Sequence, residues 1–339
     1  MICEKLGKVS RLSAMSGAIH VLTDLKYDYM VPMGLRLLIG QGRNYSQLAF
    51  VPKYEPPKPD DLTKLSNFIK NSGRLCVLTG AGVSTESGIP DYRSQGVGLY
   101  ATSNKRPVLY QDFRNKEPIR RRYWARNYIG WPRFSNVQPN GTHKILKHLE
   151  DLGIVNCIVT QNVDGLHSKA GSKNVIELHG TAFRVMCLSC DKTINRHDFQ
   201  KVLDKANPSV TLVSKAIRPD GDVELSEEQI EGFILPPCQN CGGVLKPDIV
   251  FFGDNVPRVV VETVQTSVDN ADALLVLGTS LTTFSGYRII LQAVEANKPI
   301  AIVNIGETRA DSYANVKIES RCGEVFSKVF PSSNFGKGS

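Results

Sequence analysis

Three groups of residues in this chain have types and spacings that carry chemistry. The first follows the apolar run Ile158-Val159-Thr160, where Gln161, Asn162, Asp164 and His167 come in quick succession. Polar groups are costly to bury without partners, so this cluster either sits on a solvated loop or faces a ligand. The second is Gly80-Ala81-Gly82-Val83-Ser84, which follows the apolar run 75–79. Glycines in such a loop let backbone N–H groups approach a phosphate, and Ser84 adds a hydroxyl donor. The loop departs from the G-x-G-x-x-G dinucleotide pattern because position 85 is Thr, and no phosphate-loop lysine follows. It continues into Ile89-Pro90-Asp91-Tyr92-Arg93, where Arg93 suits a phosphate and Asp91 an amide. The third group is Cys187-x-x-Cys190 and Cys238-x-x-Cys241. Four thiolates complete a closed tetrahedral zinc site, which leaves no position for a substrate and is therefore structural; a pair of redox dithiols is the other reading. His179, in Glu-Leu-His-Gly, is a candidate base, since a neutral imidazole can accept a hydroxyl proton; a structural histidine is the alternative.

Alternating elements must position these groups. Apolar runs at 75–79, 154–160, 273–278 and 299–304 predict strands, and helical periodicity at 62–70, 142–152, 258–270 and 286–297 lies between them. Continuous apolar strands alternating with helices predict an α/β fold with a mostly parallel sheet covered on both faces. Each strand runs into a polar or glycine-rich loop: Gly80–Ser84, Gln161–Asp164, Gly278-Thr279-Ser280 and Asn304-Ile305-Gly306. In a parallel sheet these ends point one way, toward the crevice where ligands bind, so one shared crevice is expected. Val250-Phe251-Phe252 reads as a strand, with successive side chains on opposite faces. Residues 114–131 interleave arginines with Tyr123, Trp124, Tyr128 and Trp131. The expectation is an amphipathic helix with aromatics inward and arginines outward; nucleic-acid stacking is the competing reading. Within 191–237, Leu225-Ser226-Glu227-Glu228-Gln229-Ile230 looks helical, and Pro52–Asp61 reads as a proline-rich linker in which Asp60 or Asp61 caps the next helix.

Composition narrows the class. The chain has 339 residues, enough for about two domains, and is 41% hydrophobic. The net charge is +8, yet residues 1–59 hold eight Lys/Arg against four Asp/Glu, leaving 33 against 29 in the remainder. A nearly balanced body argues against a nucleic-acid protein built on a basic face, and no apolar run approaches the ~18 residues of a membrane helix. Of eight cysteines, Cys3, Cys76, Cys157 and Cys322 stand alone, which fits a reducing compartment better than a secreted disulfide framework. Sequons at Asn44 and Asn140 are then chance matches. Residues 33–54 contain Arg36, Arg43 and Lys53 without an acidic residue and resemble a mitochondrial transit segment, oddly placed after Met33.

Taken together, G-A-G-V-S-T-E-S-G-I-P-D-Y-R (80–93), T-Q-N-V-D-G-L-H (160–167), E-L-H-G (177–180), the cysteine pairs, K-P-D-I-V-F-F-G-D (246–254), G-T-S-L (278–281) and N-I-G (304–306) resemble the sirtuin (Sir2) family over roughly residues 60–330. Tyr92 and the stretch 118–135 are similar to the class II, mitochondrial, lipoamidase-type members. The resemblance implies a Rossmann-like parallel domain (56–183 and 244–330) with a helical insertion at about 101–140, a zinc-binding module at 184–243, and disordered ends at 1–55 and 331–339. It implies NAD-dependent removal of acyl groups from protein lysines in the mitochondrial matrix, with one structural zinc ion. Acetyl, lipoyl, biotinyl and branched dicarboxylic groups stay open, since no obvious Tyr/Arg pair of the kind used for succinyl- and glutaryl-lysine stands out. His179 becomes the base, with Asn162 and Asp164 also catalytic and His167 supporting. Gly80, Ala81, Gly82, Ser84, Ile89, Asp91, Tyr92, Arg93, Gln161, Val163, Gly278, Thr279, Ser280, Asn304, Ile305, Gly306 and Cys322 are expected around NAD, and Val250, Phe251, Phe252 and Gly253 around the acyl-lysine. Expected partners are acylated metabolic enzymes such as glutamate dehydrogenase and the pyruvate dehydrogenase complex, with no nucleic acid or membrane, the enzyme acting as a monomer. Protein mono-ADP-ribosylation at the same site and a catalytically weak NAD-sensing scaffold are the alternatives; a dehydrogenase is the weakest reading.

Overall fold

A computed structural model of the protein describes residues 48–103, 107–210, 218–223 and 225–331. The transit-like segment up to residue 47, Cys3, the Asn44 sequon and the tail from 332 lie outside the described residues. Among the described residues, nine strands form two sheets: β1 (Leu75–Thr79), β2 (Val155–Thr160), β3 (Val175–Glu177), β4 (Gly180–Cys187), β5 (Thr193–Asn195), β6 (Leu245–Ile249), β7 (Ala273–Leu277), β8 (Ile300–Val303) and β9 (Val316–Ile318). The larger sheet has the order β3-β2-β1-β7-β8-β9, and all of its strand pairs are parallel. The chain builds β1, β2 and β3 outward in one direction, then returns to β1 and builds β7, β8 and β9 in the other. Topology therefore reverses between β1 and β7, the switch point at which open α/β sheets bind ligands.

Burial on both faces explains the unbroken apolar strands. Leu75 and Val77 of β1 pack with helices Pro59–Asn71, Gly141–Asp151 and Cys322–Val329. Cys76 and Leu78 face the opposite way, toward helices Arg258–Asp269 and Phe284–Glu295. Each fully buried side chain of this size contributes roughly 1.5–3 kcal/mol. The expected helices appear with small shifts at their ends. Neither Asp60 nor Asp61 caps the first one: it starts at Pro59, whose fixed φ suits a first helical turn, and both aspartates lie in that turn. Asn140 caps Gly141–Asp151, accepting from Thr142 N at 3.0 Å, while its amide donates to the Val83 carbonyl at 2.7 Å. The Asn140 sequon is thus a helix cap.

The smaller sheet, β5-β4-β6, is antiparallel. Helix Glu117–Ser135 packs against it with Tyr123, Trp124, Tyr128 and Trp131 buried, and Trp124 Nε1 donates to the Leu245 carbonyl at 3.0 Å. The amphipathic expectation needs one correction. Arg126 does not face solvent but is buried with its guanidinium against Asp222. The strand expected at Val250–Phe252 also stops early, at Ile249. Val250 N donates to the His179 carbonyl, and Phe252 makes only an isolated bridge to Leu109. The alternation survives, with Phe251 buried and Phe252 exposed. Ser226 and Gln229 form a capping box on the short helix Glu227–Glu231. Among the described residues, no helix is long and apolar enough to cross a membrane.

Candidate active-site crevice

A crevice of about 1660 Å³ opens along the carboxyl ends of the parallel strands. Every residue expected at the nucleotide or the acyl chain lines it, from Gly80 through Asp164 and Val250–Gly253 to Cys322, and so does His179. The glycine loop does something other than offer two free amides. Gly80 N donates to the Leu277 carbonyl at 3.0 Å and Gly82 N to the Gly278 carbonyl at 2.8 Å. A Cβ on Gly82 would come 2.8 Å from that same carbonyl oxygen, and one on Gly80 2.6 Å from Thr279 Cβ. Gly278 sits at φ +57°. These glycines let the β1 and β7 loops touch backbone to backbone across the switch point.

The polar cluster after β2 is tied into that junction. Asn162 Nδ2 donates to the Gly80 carbonyl at 3.0 Å and to Ser84 Oγ at 3.1 Å; Ser84 in turn donates to Asp164 Oδ2 at 2.7 Å. Asp164 Oδ1 accepts from Leu166 N at 3.0 Å. Burial raises the Asp164 carboxyl above its usual range, against these hydrogen bonds. Gln161 bridges the sheet halves, donating to Thr279 Oγ1 at 3.0 Å and accepting from Thr283 Oγ1 at 3.1 Å. Asp91 holds its own loop, accepting from Ser94 N at 2.9 Å and from the Ser94 hydroxyl. His167, on the short helix Leu166–Lys169, is buried at 3.0 Å from Thr79 Oγ1 at the end of β1 and does not line the crevice. Its burial depresses the imidazolium to about 4.

His179 occupies the two-residue connection, Leu178-His179, between β3 and β4. Its Nδ1 lies 3.0 Å from the Gln161 carbonyl, which can only accept, so Nδ1 carries the proton. Nε2 is left as the basic nitrogen and accepts from Ser285 Oγ at 2.8 Å. Burial lowers the imidazolium below its ordinary range, with the Gln161 carbonyl pulling the other way. The ring is therefore neutral at physiological pH, with its lone pair on the crevice side.

Sequence reasoning missed several lining residues. Ser285, at the start of helix Phe284–Glu295, carries no sequence mark. Tyr123 and Arg126 stand three apart on one helix and both line the crevice, so a Tyr/Arg pair is present after all, joined by Arg218, Asp220 and Asp222. At the opposite end, Arg321 Nε donates to Tyr54 Oη at 3.0 Å and its Nη1 pairs with Glu86 at 2.6 Å beside Cys322. Tyr54 belongs to the stretch expected to be linker or leader, yet residues 51–58 line the crevice.

The four cysteines converge apart from the crevice. All four Sγ atoms lie within 4.8 Å of one another, with close approaches of 3.4 Å (Cys190–Cys241), 3.5 Å (Cys187–Cys241) and 3.9 Å (Cys190–Cys238). A tetrahedron of sulfurs about 2.3 Å from zinc has edges of roughly 3.8 Å, so the cluster fits the ion. Ser189 N donates to Cys187 Sγ at 3.4 Å, and a Cβ on Gly243 would crowd that sulfur at 3.0 Å. Backbone amides and a bare glycine around thiolates suit a metal knuckle better than a redox dithiol.

Comparisons with known proteins agree with this geometry. Residues 80–285 match the model described as the Sir2 family. The chain is 52% identical over 282 residues to the human "NAD-dependent protein lipoamidase sirtuin-4, mitochondrial", covering 83% of this chain and 90% of that one. It is 53% identical over 285 residues to the Drosophila melanogaster "NAD-dependent protein deacylase Sirt4", covering 84% and 91%. Among solved structures, "Sir2-p53 peptide-NAD+" superposes with a TM-score of 0.65 at 28% identity, over 81% of this chain and 99% of that one. A switch-point crevice with a neutral histidine at its wall, a four-cysteine knuckle on a second sheet, and a family match across both place the chain in the Sir2 family.

Proposed function

We propose that the chain removes acyl groups from protein lysines at the expense of NAD. It is an NAD-dependent enzyme of the Sir2 family, and the observation that carries the reading is the His179 imidazole at the crevice wall, with its proton held on Nδ1 and its basic Nε2 at the Ser285 hydroxyl, which also lines the crevice. In the proposed reaction the nicotinamide–ribose bond breaks, the electron pair leaving with nicotinamide. The acyl carbonyl oxygen bonds to the ribose carbon. His179 Nε2 takes the proton of a ribose hydroxyl, whose oxygen then attacks the acyl carbon. The lysine amine leaves with a proton, and water completes the transfer to give O-acyl-ADP-ribose. Asn162, Asp164 and Gln161 support the nicotinamide and ribose end, already ordered by their mutual hydrogen bonds, so little further ordering accompanies binding. Gly278–Ser280, Asn304–Gly306 and Cys322 support the phosphate and adenosine end. Zinc, held by Cys187, Cys190, Cys238 and Cys241, supplies cross-linking of the smaller sheet and no chemistry.

The relatives named mitochondrial support a mitochondrial location for this chain, and we place it in the matrix, acting as a monomer on acylated metabolic enzymes. Their lipoamidase names support lipoyl-lysine as one substrate. The division into a parallel domain and a zinc-binding module at 184–243 is proposed on the two sheets. Mass spectrometry of a reaction with NAD and a panel of acyl-lysine peptides tests the proposal. Nicotinamide, O-acyl-ADP-ribose and free lysine should form together and vanish in His179→Ala. ADP-ribose on protein without deacylated peptide would replace this reading with mono-ADP-ribosylation.

A further inference from the structure

The wall of the crevice nearest Phe251 holds buried charges that the reaction above does not use. Tyr123 meets Phe251 edge-on, with ring centroids 5.3 Å apart, and Arg126 lies one turn further along the same helix. Opposite runs the segment Arg218–Val223. Arg126 Nε is 3.2 Å from Asp222 Oδ1 and also donates to the Val223 carbonyl, while Arg218 Nη1 is 3.5 Å from Asp222 Oδ2. The three side chains are only 10%, 11% and 7% exposed for Arg126, Arg218 and Asp222. The segment is fixed by backbone: Arg218 N donates to the Asp222 carbonyl at 2.8 Å, and a Cβ on Gly130 would sit 1.9 Å from the Gly221 carbonyl oxygen. The helix thus presses directly on the loop, and the ion pairs cannot relax by moving it away.

We propose that Asp222 determines acyl specificity, its carboxylate occupying Arg126 and Arg218 as the end of an acidic acyl chain would. The inference rests on the deacylase reading. Neutral acyl chains leave the triad intact. A carboxylate-ended chain must displace Asp222 from its guanidinium partners. With Asp220 and Asp222 ionised, two carboxylates balance the two arginines, and an added carboxylate would leave an uncompensated buried charge. A proton taken up by Asp222 restores the balance. The proton is available near neutrality: burial, and then the neighbouring Asp220, push Asp222 up to about 7, against Arg126 and Arg218. The phenols of Tyr92 and Tyr123 also face this carboxylate, and burial raises both well above their usual range, so they stay neutral.

The test compares one peptide carrying either a glutaryl-lysine or an uncharged acyl-lysine of similar length, with NAD and the full chain, from roughly pH 6 to 9. In the wild type, the ratio of kcat/KM for glutaryl over uncharged acyl should fall by up to about tenfold per pH unit above 7. In Asp222→Asn the ratio should lose its slope and so exceed that of the wild type by up to about 100-fold at pH 9. A ratio independent of pH in the wild type, or an unchanged slope in the variant, overturns the inference alone. The wild-type slope decides by itself if the variant does not fold. No turnover of either peptide overturns the deacylase reading, and this inference with it.

Discussion

The two sheets solve the problem of holding shape in opposite ways. The parallel sheet is covered on both faces, and its central strand β1 is wholly buried. Apolar burial and its ladders to β2 and β7 keep it in place, so the strand ends are free to carry amides, carboxylates and an imidazole. In the antiparallel sheet β5 has three residues, none of them fully buried. The other two strands, β4 and β6, are covered by the aromatics of helix Glu117–Ser135 and by helix Arg196–Ala206, and four thiolates gather at the end of β4 and in the loop before β6. The larger sheet leaves its strand ends to chemistry, while the smaller one adds thiolates to its apolar packing.

If that contrast is right, damage to the crevice should cost activity without stability, and damage to the cysteines the reverse order. His179→Ala should lower kcat/KM by roughly 10²–10⁴-fold with Tm unchanged; a large fall in Tm would break the contrast. Cys238→Ser, or chelation of zinc, should expose the amides of β4, β5 and β6 to hydrogen exchange while those of β1, β2 and β7 stay protected. Simultaneous loss of both sets would mean that the two sheets share one cohesive unit. His167 sharpens the point from the parallel side. Its folded value of about 4 lies below the ordinary value of about 6.5, so the unfolded chain binds more protons between these limits. Stability from this group is therefore full above pH 6.5 and declines as pH falls toward 4, by roughly 3 kcal/mol in total. His143, whose ring lies 4.7 Å from that of His167 and is also held neutral by burial, adds in the same direction. Thermal melts of wild type and His167→Gln from pH 7.5 to about 5 should diverge on acidification; parallel curves would refute this. The smallest effect is expected at Ser285→Ala. Losing the hydroxyl that donates to His179 Nε2 removes a bond to the neutral ring, so the acid limb of the kcat/KM profile should move up by a few tenths of a pH unit.

Much of this arrangement is legible in the chain. Runs such as Leu75–Thr79 and Ala273–Leu277 read as strands because burial on two faces demands unbroken apolar residues, and their ends read as a crevice because glycines and amides recur there. What is illegible depends on partners distant in sequence. Arg126 sits in a basic, aromatic stretch and reads as solvent-facing, because its partner Asp222 lies on another element. Gly80 and Gly82 read as phosphate-facing, because the carbonyls they crowd belong to the β7 loop. Tyr54 reads as linker because nothing local announces Arg321.

One contact beside His179 bears on how such an enzyme can diversify. Gly180, at φ +77°, lies so close to Asp248 that a Cβ there would come 2.1 Å from its carbonyl oxygen, and the His179 carbonyl accepts from Val250 N at 2.8 Å. The imidazole and the segment Val250–Gly253, expected to face the acyl chain, are therefore aligned by main chain against main chain. No side chain mediates the alignment, so none can be lost by substitution. If Asp222 sets acyl selectivity as proposed, substitutions at Arg126, Arg218 or Asp222 would change which acyl groups enter while the His179 imidazole keeps its station. On the reading proposed above, selectivity and reactivity would be inherited separately.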